Sequence, residues 1–295
     1  MKIIVFGSGA LGSLMIHFLC KAGNDVTVVA RSTADELRHN GLVVKHYLQR
    51  KTSIDHPTIL ESVPTDEHFD IAFSVMQGQQ QKELLETFKK LDTNILVLVG
   101  NNLEAEFCQN SILEKRPDLH LLFGFQNSAG HREGAKAIAA RLPVTKLFVG
   151  GLHNAASETD LVAIQKAFNP KDVKITPVDN MYAYYLCHVA EVMPYGYMCY
   201  KVDGNLKKLQ RRDIKTIMQA TKECFAYLKS TGIEVMPKGE DKFYNGGIKT
   251  YAMFLLYRIM SKTILGQLMV ADHCKNGIKE MIYIHKKFEE WRLQH

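Results

Sequence analysis

The chain opens on a short apolar run, Lys2 to Phe6, whose unbroken Ile-Ile-Val-Phe predicts a parallel strand covered on both faces. A glycine-rich stretch, Gly7 to Ser13, separates it from a segment in which Leu14, Phe18, Leu19 and Ala22 recur at helical spacing until Gly23 offers a stop. Residues 25–32, Asp-Val-Thr-Val-Val-Ala-Arg-Ser, predict the next strand. Strand, glycine turn, helix and strand form a βαβ unit, and its right-handed crossover makes the two strands parallel neighbours. The alternation continues with predicted strands at 70–76, 94–102, 120–125 and 146–152, and with a helix at 79–91 that carries Leu84, Leu85, Phe88 and Leu91 on one face. Alternating strands and helices of this kind describe an α/β domain built on a doubly wound parallel sheet.

Beyond Pro177 the texture changes. Residues 181–193, 212–230, 248–273 and 278–291 all carry helical periodicity, and none alternates as a strand does. Prolines and polar residues at 169–180 mark a boundary, so the expected division is a sheet domain at 1–172 and an all-helical domain at 173–295.

Composition narrows the classes of function. A length of 295 residues allows two domains, each burying its own core, and 46% hydrophobic with 23% charged residues excludes a disordered or fibrous chain. The formal charge of +6 is mild and dispersed, whereas polyanion binding needs a concentrated basic patch, so no nucleic-acid partner is expected. Six cysteines without a CxxC pair or a Cys/His cluster at zinc spacing read as reduced thiols of a cytoplasmic protein with no metal site. Three early glycines argue against a signal peptide, and no apolar run reaches the ~18 residues that would span a bilayer, so no membrane partner is expected either.

Candidate chemistry begins at Gly7-x-Gly9-x-x-Gly12, placed after a strand and before a helix. In that context the first glycine permits a tight turn, the second lets a pyrophosphate approach the backbone, and the third lets the helix pack close to the strand. The helix start adds N–H donors and a positive dipole end. Gly7, Ser8, Gly9, Ala10, Leu11 and Gly12 are therefore the candidate phosphate loop of a Rossmann domain. At the end of the second strand, where NAD-binding domains usually carry an acid for the ribose 2′-OH, stand Arg31 and Ser32. A guanidinium can pair with a 2′-phosphate, which makes NADP the expected cofactor. An Arg31 that only stacks on adenine would leave NAD open.

The opening Lys-Ile-Ile-Val-Phe-Gly-Ser-Gly-Ala-Leu-Gly closely resembles the start of the ketopantoate reductase (2-dehydropantoate 2-reductase) family, NADPH enzymes with an N-terminal Rossmann domain and a helical C-terminal domain. Arg31 stands where members commonly hold an arginine. Val-Gly-Asn-Asn at 99–102 resembles the family's strand ending in Asn-Gly, and residues 127–134 resemble its Ala-rich turn followed by a basic residue, an acid and glycine. The resemblance is specific over the sheet domain and faint afterwards. It implies that Asn101 contacts the nicotinamide end and the carbonyl substrate, that Ala129 lines the cofactor through its backbone, and that the protein is a homodimer. In the family's V-K-x-x-Q pattern after the third strand, Met76 replaces the lysine at the cofactor while Gln79 remains.

The resemblance breaks at the family's W-x-K-L-x-x-N-x-x-x-N-P motif. Aligned on Leu186 and Pro194, Tyr185 stands for the proton-donating lysine, and Val189 and Met193 stand for the two substrate-holding asparagines. Val270 replaces the glutamate of a T-E-I-D-like motif, Asp272 keeps its second acid, and Ser261 is a counterpart of the substrate-binding serine. Hydride delivery to a carbonyl leaves an alkoxide that needs a proton, so ketopantoate reduction by the family mechanism is not expected. The same segment offers a substitute. Tyr184, His188 and Glu191 fall on one helical face, so Glu191 can orient His188, and Tyr185 or His188 can act as the acid. The alternative is an ordinary surface with a solvated His and Glu.

Three further features take the plainer meaning. The basic run 206–215 reads as a solvated helix start, the tyrosines between 182 and 200 as packing, and His131-Arg132-Glu133 as a surface turn. Two functions remain. One is NADP(H)-dependent oxidoreduction of a small carbonyl or hydroxyl substrate in a cleft between the domains at the C-terminal ends of the strands; the other is a non-catalytic NADP-binding sensor.

Overall fold

The first apolar run is β1 (Lys2–Phe6), and every residue of it after Lys2 is buried. There follow α1 (Ala10–Lys21), β2 (Asp25–Val29), α2 (Ala34–Asn40), β3 (Leu42–His46), β4 (Lys51–Asp55), β5 (Thr58–Leu60), β6 (Phe69–Val75), α3 (Gly78–Glu83), α4 (Leu85–Lys90) and β7 (Thr93–Val99). The order continues through α5 (Ala105–Lys115), β8 (His120–Gln126), β9 (Ala129–Glu133), β10 (Lys136–Ala140), β11 (Thr145–Gly150), α6 (Glu158–Lys166) and β12 (Val173–Pro177). These elements come from a computed structural model that describes residues 1–64 and 66–295 and divides into two units, Met1–Asp179 and Asn180–His295.

In the first unit an eight-stranded sheet runs in the order β12-β11-β8-β7-β6-β1-β2-β5. β1 lies parallel between β2 and β6, with Ile3 opposite Val26 on one side and Ile71 on the other, so the continuously apolar strands are those covered on both faces. The sheet is not wholly parallel. β11 runs antiparallel to β8, because the chain between them returns through the β9–β10 hairpin instead of a helical crossover. β12 pairs with β11 from Thr145↔Val173 to Val149↔Pro177, which ties residues 173–177 to the sheet and carries the first unit to Asp179, past the expected 172/173 boundary.

A second sheet of four strands, in the order β4-β3-β10-β9, was not foreseen from the sequence. It packs against α1, which also packs on β1 and β2 of the large sheet. That position explains why every residue from Gly12 to Leu19 is buried, with no polar face. Its two polar members find partners in the small sheet's neighbourhood or in the turn: His17 Nδ1 lies 2.8 Å from Asp55 Oδ2, and Ser13 Oγ donates to the Ser8 carbonyl. The segment His131-Arg132-Glu133, expected as a turn, forms the second half of β9, opposite Ile138, Ala137 and Lys136 of β10. The helix expected at 79–91 is interrupted at Leu84, where φ −101° and ψ 8° separate α3 from α4.

The second unit is helical, as the periodicity implies. It contains α7 (Met181–Lys201), α8 (Arg211–Ser230), α9 (Gly247–Lys262), the single turn α10 (Ile264–Gly266), α11 (Asp272–Asn276) and α12 (Ile278–Gln294). Short 3-10 turns lie at Leu206–Lys208 and Glu240–Phe243, and a π-helical stretch at Gln267–Ala271. The helix expected at 248–273 is broken by an extended Thr263 (φ −117°, ψ 164°). No single helix among the described residues is long and apolar enough to cross a membrane; α9 and the segment Ile264–Asn276 meet that length and composition only when joined across an 85° bend.

Candidate functional site

β1 runs directly into the glycine turn. Gly7 has φ +98°, where an L side chain is strained, and a Cβ there would meet the Val75 carbonyl oxygen at 2.5 Å. Gly12 approaches the Gly7 carbonyl so closely that no Cβ fits, which lets α1 start hard against the strand. Gly9, the N-cap of α1, differs: a Cβ there would meet nothing within 4 Å, and no side chain caps the helix. The carbonyls of the turn are held by protein donors. Ser13 Oγ and Arg132 Nη1 donate to Ser8 O at 3.1 and 3.3 Å, Ser13 N donates to Gly9 O at 2.8 Å, and Gln126 Nε2 donates to Leu11 O at 3.2 Å. With its oxygens occupied and open space beside Gly9, the turn presents a helix start to an anion.

The neighbouring strand ends are joined by Gln81, which the sequence does not single out. It is fully buried; its Nε2 donates to the carbonyls of Ser74, Met76 and Val99 at 3.3, 3.2 and 3.2 Å, and its Oε1 accepts from Asn102 Nδ2 at 2.9 Å. A signal was present: Gln81 stands four residues before Leu85 and seven before Phe88 on the apolar face, where a polar side chain must find partners. Gln79 serves locally, donating Nε2 to Gln77 Oε1 at 2.6 Å. Met76 lies against Gly7, whose Cβ would meet Met76 Cγ at 2.8 Å, so an apolar thioether covers the turn where the resemblance implies a lysine.

The two adjacent asparagines have separate tasks. Asn102 is the turn former: its Oδ1 accepts from Glu104 N at 2.9 Å while its amide donates to Gln81. Asn101 is buried, and its Oδ1 has no hydrogen-bond partner among the described residues. Such an orphan acceptor costs about 1–3 kcal/mol unless a ligand donor meets it.

Arg31 and Ser32 follow β2 in an exposed turn, and Ser8 Oγ lies 3.1 Å from Thr33 Oγ1, which couples that turn to the glycine loop. Ala129 opens β9 opposite Ala140. The loop Gly7–Gly12, the Arg31–Ser32 turn, Met76 and Asn101 all follow parallel neighbouring strands and therefore gather at one edge of the sheet. A cradle open at Gly9, an uncapped helix start, an orphaned amide oxygen and a cation at the end of β2 together fit a dinucleotide.

The helical unit holds the other candidates on α7. Tyr184 and His188 stack at 6.3 Å between ring centroids and 14° between planes, as their spacing implies. Tyr185 is fully buried. Glu191 does not serve His188. Its carboxylate accepts from Tyr244 Oη at 3.2 Å and shares a hydrogen bond with Glu240, and Tyr244 Oη lies 2.8 Å from Tyr257 Oη. Burial, followed by the charge of Glu240, holds Glu191 well above the usual carboxylate range. Burial, followed by the charge of His273, pushes His188 down to about 4. The expected His188–Glu191 dyad is therefore corrected to a Glu191–Glu240 carboxyl pair. Ser261 donates its hydroxyl to the Arg258 carbonyl at 2.9 Å within α9, and Asp272 accepts from Gln267 at 2.9 Å. Among the described residues no group of three or more His, Cys, Asp or Glu side chains could hold a metal ion.

A two-sheet α/β unit with a glycine turn of this geometry, followed in the chain by a helical unit, defines a Rossmann-type oxidoreductase fold. Residues 3–146, most of the first unit, match the family Ketopantoate reductase PanE/ApbA, a family of NAD(P)-dependent reductases. A comparison with curated proteins found no match. Among solved structures, 2-dehydropantoate 2-reductase from Geobacter metallireducens GS-15 is similar with a TM-score of 0.69 at 14% identity, over 97% of this chain and 94% of that one. PanE/ApbA family ketopantoate reductase from Ralstonia eutropha JMP134 gives 0.62 at 12% identity over 100% of both chains. D-mandelate dehydrogenase, in a ternary structure with NADH and anilino(oxo)acetate, gives 0.61 at 14% identity over 98% of both. At these identities the likeness speaks for the fold alone.

Proposed function

We propose that this protein is an NADP(H)-dependent oxidoreductase acting on a small carbonyl or hydroxyl substrate. The observation that carries the proposal is the glycine turn, whose carbonyls are held by Ser13, Arg132 and Gln126 while Gly9 and the start of α1 stay open. Gly7, Ser8, Gly9, Ala10, Leu11 and Gly12 would hold the pyrophosphate, Arg31 and Ser32 the 2′-phosphate, and Met76 and Ala129 would line the cofactor. When bound, the nicotinamide supplies or accepts the hydride. Asn101 offers its orphaned Oδ1 to a ligand donor and its Nδ2 to a carbonyl oxygen, which fixes orientation.

The oxygen of a reduced carbonyl also needs a proton. His188, pushed down to about 4, is neutral at pH 7 and can hydrogen-bond but not act as an imidazolium acid. Tyr185, at the position of the family's lysine, is therefore assigned the proton, with His188 as a hydrogen-bonding neighbour and Glu191 without a part. The substrate is a small molecule, since the site's polar groups, Asn101 and the turn, suit a compact carbonyl. α9 exposes Ile248, Tyr251, Leu255 and Ile259 along one face, which supports a homodimer; light scattering that returned one 33.4 kDa chain would contradict that part.

Titration calorimetry with NADPH and NADH on the wild type and on Arg31→Ala tests the cofactor assignment. NADPH should bind about 10-fold or more tighter than NADH, and the variant should lose the preference. Equal affinities, or a preference that survives Arg31→Ala, would overturn it.

A further inference from the structure

Arg132 is half-buried on β9, in the segment whose sequence reads as a surface turn. Its guanidinium reaches across the fold to the glycine loop: Nη1 donates to Ser8 O at 3.3 Å, while Nε and Nη2 donate to Gly134 O at 2.9 and 2.8 Å. Among the described residues no carboxylate forms an ion pair with it. Glu133 lies 3.6 Å from His131 Nε2, Asp35 pairs with Arg38 at 3.0 Å, and Glu36 stands beside Gly134, where a Cβ would meet its Oε1 at 3.3 Å.

Ser8 is the neighbour that gives this cation a direction. Its carbonyl takes Arg132, and its hydroxyl lies 3.1 Å from Thr33 Oγ1, in the turn that carries Arg31 and Ser32. An arginine whose partners among the described residues are two neutral carbonyls has no carboxylate offsetting its cation and keeps two of its five N–H groups, a state that suits an anion. The turn after β2 is the side of the loop on which a dinucleotide's adenosine ribose belongs.

We infer that Arg132 is a second cation of the 2′-phosphate subsite, acting with Arg31 to select a phosphorylated adenosine ribose. This rests on the dinucleotide reading proposed above. It differs from a merely structural role, in which Arg132 only shapes the β9–β10 turn through Gly134 and steadies Ser8. A structural role would weaken every adenosine ligand alike, whereas a 2′-phosphate contact weakens only ligands that carry that group.

Calorimetric titration of the full chain with 2′,5′-ADP and with 5′-AMP separates the two. In Arg132→Ala, 2′,5′-ADP affinity should fall by about 10- to 100-fold, the usual worth of a charge-assisted contact, while 5′-AMP affinity changes less than about 3-fold. Arg132→Lys, which keeps the charge, should recover part of the loss and serves if the alanine variant does not fold. Equal weakening of both ligands, or no change in either, would overturn the inference and leave the cofactor proposal standing. Failure of the wild type to bind NADPH at all would overturn both.

Discussion

The amide of Asn102 donates to Gln81 Oε1 at 2.9 Å, and the other end of the same Gln81 side chain holds three carbonyls at the ends of β6 and β7. One fully buried glutamine thus fastens the strand ends from which Met76 and Asn101 emerge. Gln81→Leu strands those carbonyls in the interior, and at about 1–3 kcal/mol for each buried group left unsatisfied it should cost at least ~2 kcal/mol in chemical denaturation. An unchanged denaturation midpoint would show that the strand ends hold without it.

The glycines of the turn should separate stability from binding. Gly12→Ala forces a methyl group against the Gly7 carbonyl and should lower stability by ~1–3 kcal/mol, as overpacking does. Gly9→Ala meets no protein atom within 4 Å, so its melting temperature should move by no more than the ~1 kcal/mol of an N-cap change. NADPH affinity should fall in both variants. A Gly9→Ala protein that binds NADPH as the wild type does would remove the turn from the cofactor site.

Asn101→Ala deletes a buried amide oxygen without a partner, so the ligand-free variant should lose less than ~1 kcal/mol, or gain. Its kcat/KM on any accepted carbonyl should drop by about 10-fold or more, as for loss of one positioned hydrogen-bonding group. Strong destabilisation with unaltered kinetics would make Asn101 a structural residue.

Stability should depend on pH in two opposed ways. Glu191 and Glu240 are held above their ordinary value of 4.5, mainly by burial, with their contact raising Glu191 further. A raised folded-state value means that the folded protein keeps protons the unfolded chain releases, so this contribution is full below pH 4.5 and fades as pH climbs through the folded values. His188, pushed down to about 4, and His46, pushed down to about 3 chiefly by burial, act in reverse: their contribution is full above 6.5 and is lost as pH falls toward those values. Melting curves of Glu240→Gln should be flatter on the alkaline side than those of the wild type. The same alkaline slope in both proteins would exclude the carboxyl pair as its source.

Much of the fold was legible because β1 is apolar after Lys2, β6, β7 and β8 are mostly apolar, and the glycine turn sits between a strand and a helix. The four-stranded sheet was not. β4 alternates polar residues with a half-exposed Ile54, and β9 reads Ala-Gly-His-Arg-Glu, so neither carries an apolar period, and their pairing with β3 and β10 is a tertiary choice. The phosphate loop was legible because glycine there answers to steric needs visible in spacing. Gln81 shows in the sequence only as a polar side chain on an apolar helical face, while Gln126 and Arg132 were hidden, since each reaches a carbonyl of the glycine turn more than a hundred residues away, which leaves no trace in local pattern. The His188–Glu191 pair shows the opposite fault: a shared helical face brought the two side chains close in sequence terms, but Tyr244 and Glu240 from another segment took the carboxylate.

Catalysis with a nicotinamide cofactor is tested most directly by following the loss of reduced-nicotinamide absorbance in the presence of NADPH and a panel of small 2-oxo acids and aldehydes, with Tyr185→Phe alongside. Carbonyl-dependent oxidation of NADPH, faster than with NADH and at least ~10-fold slower in Tyr185→Phe, is the expected result. Tight binding of NADPH with no turnover across the panel would contradict it and make the protein a dinucleotide-binding sensor.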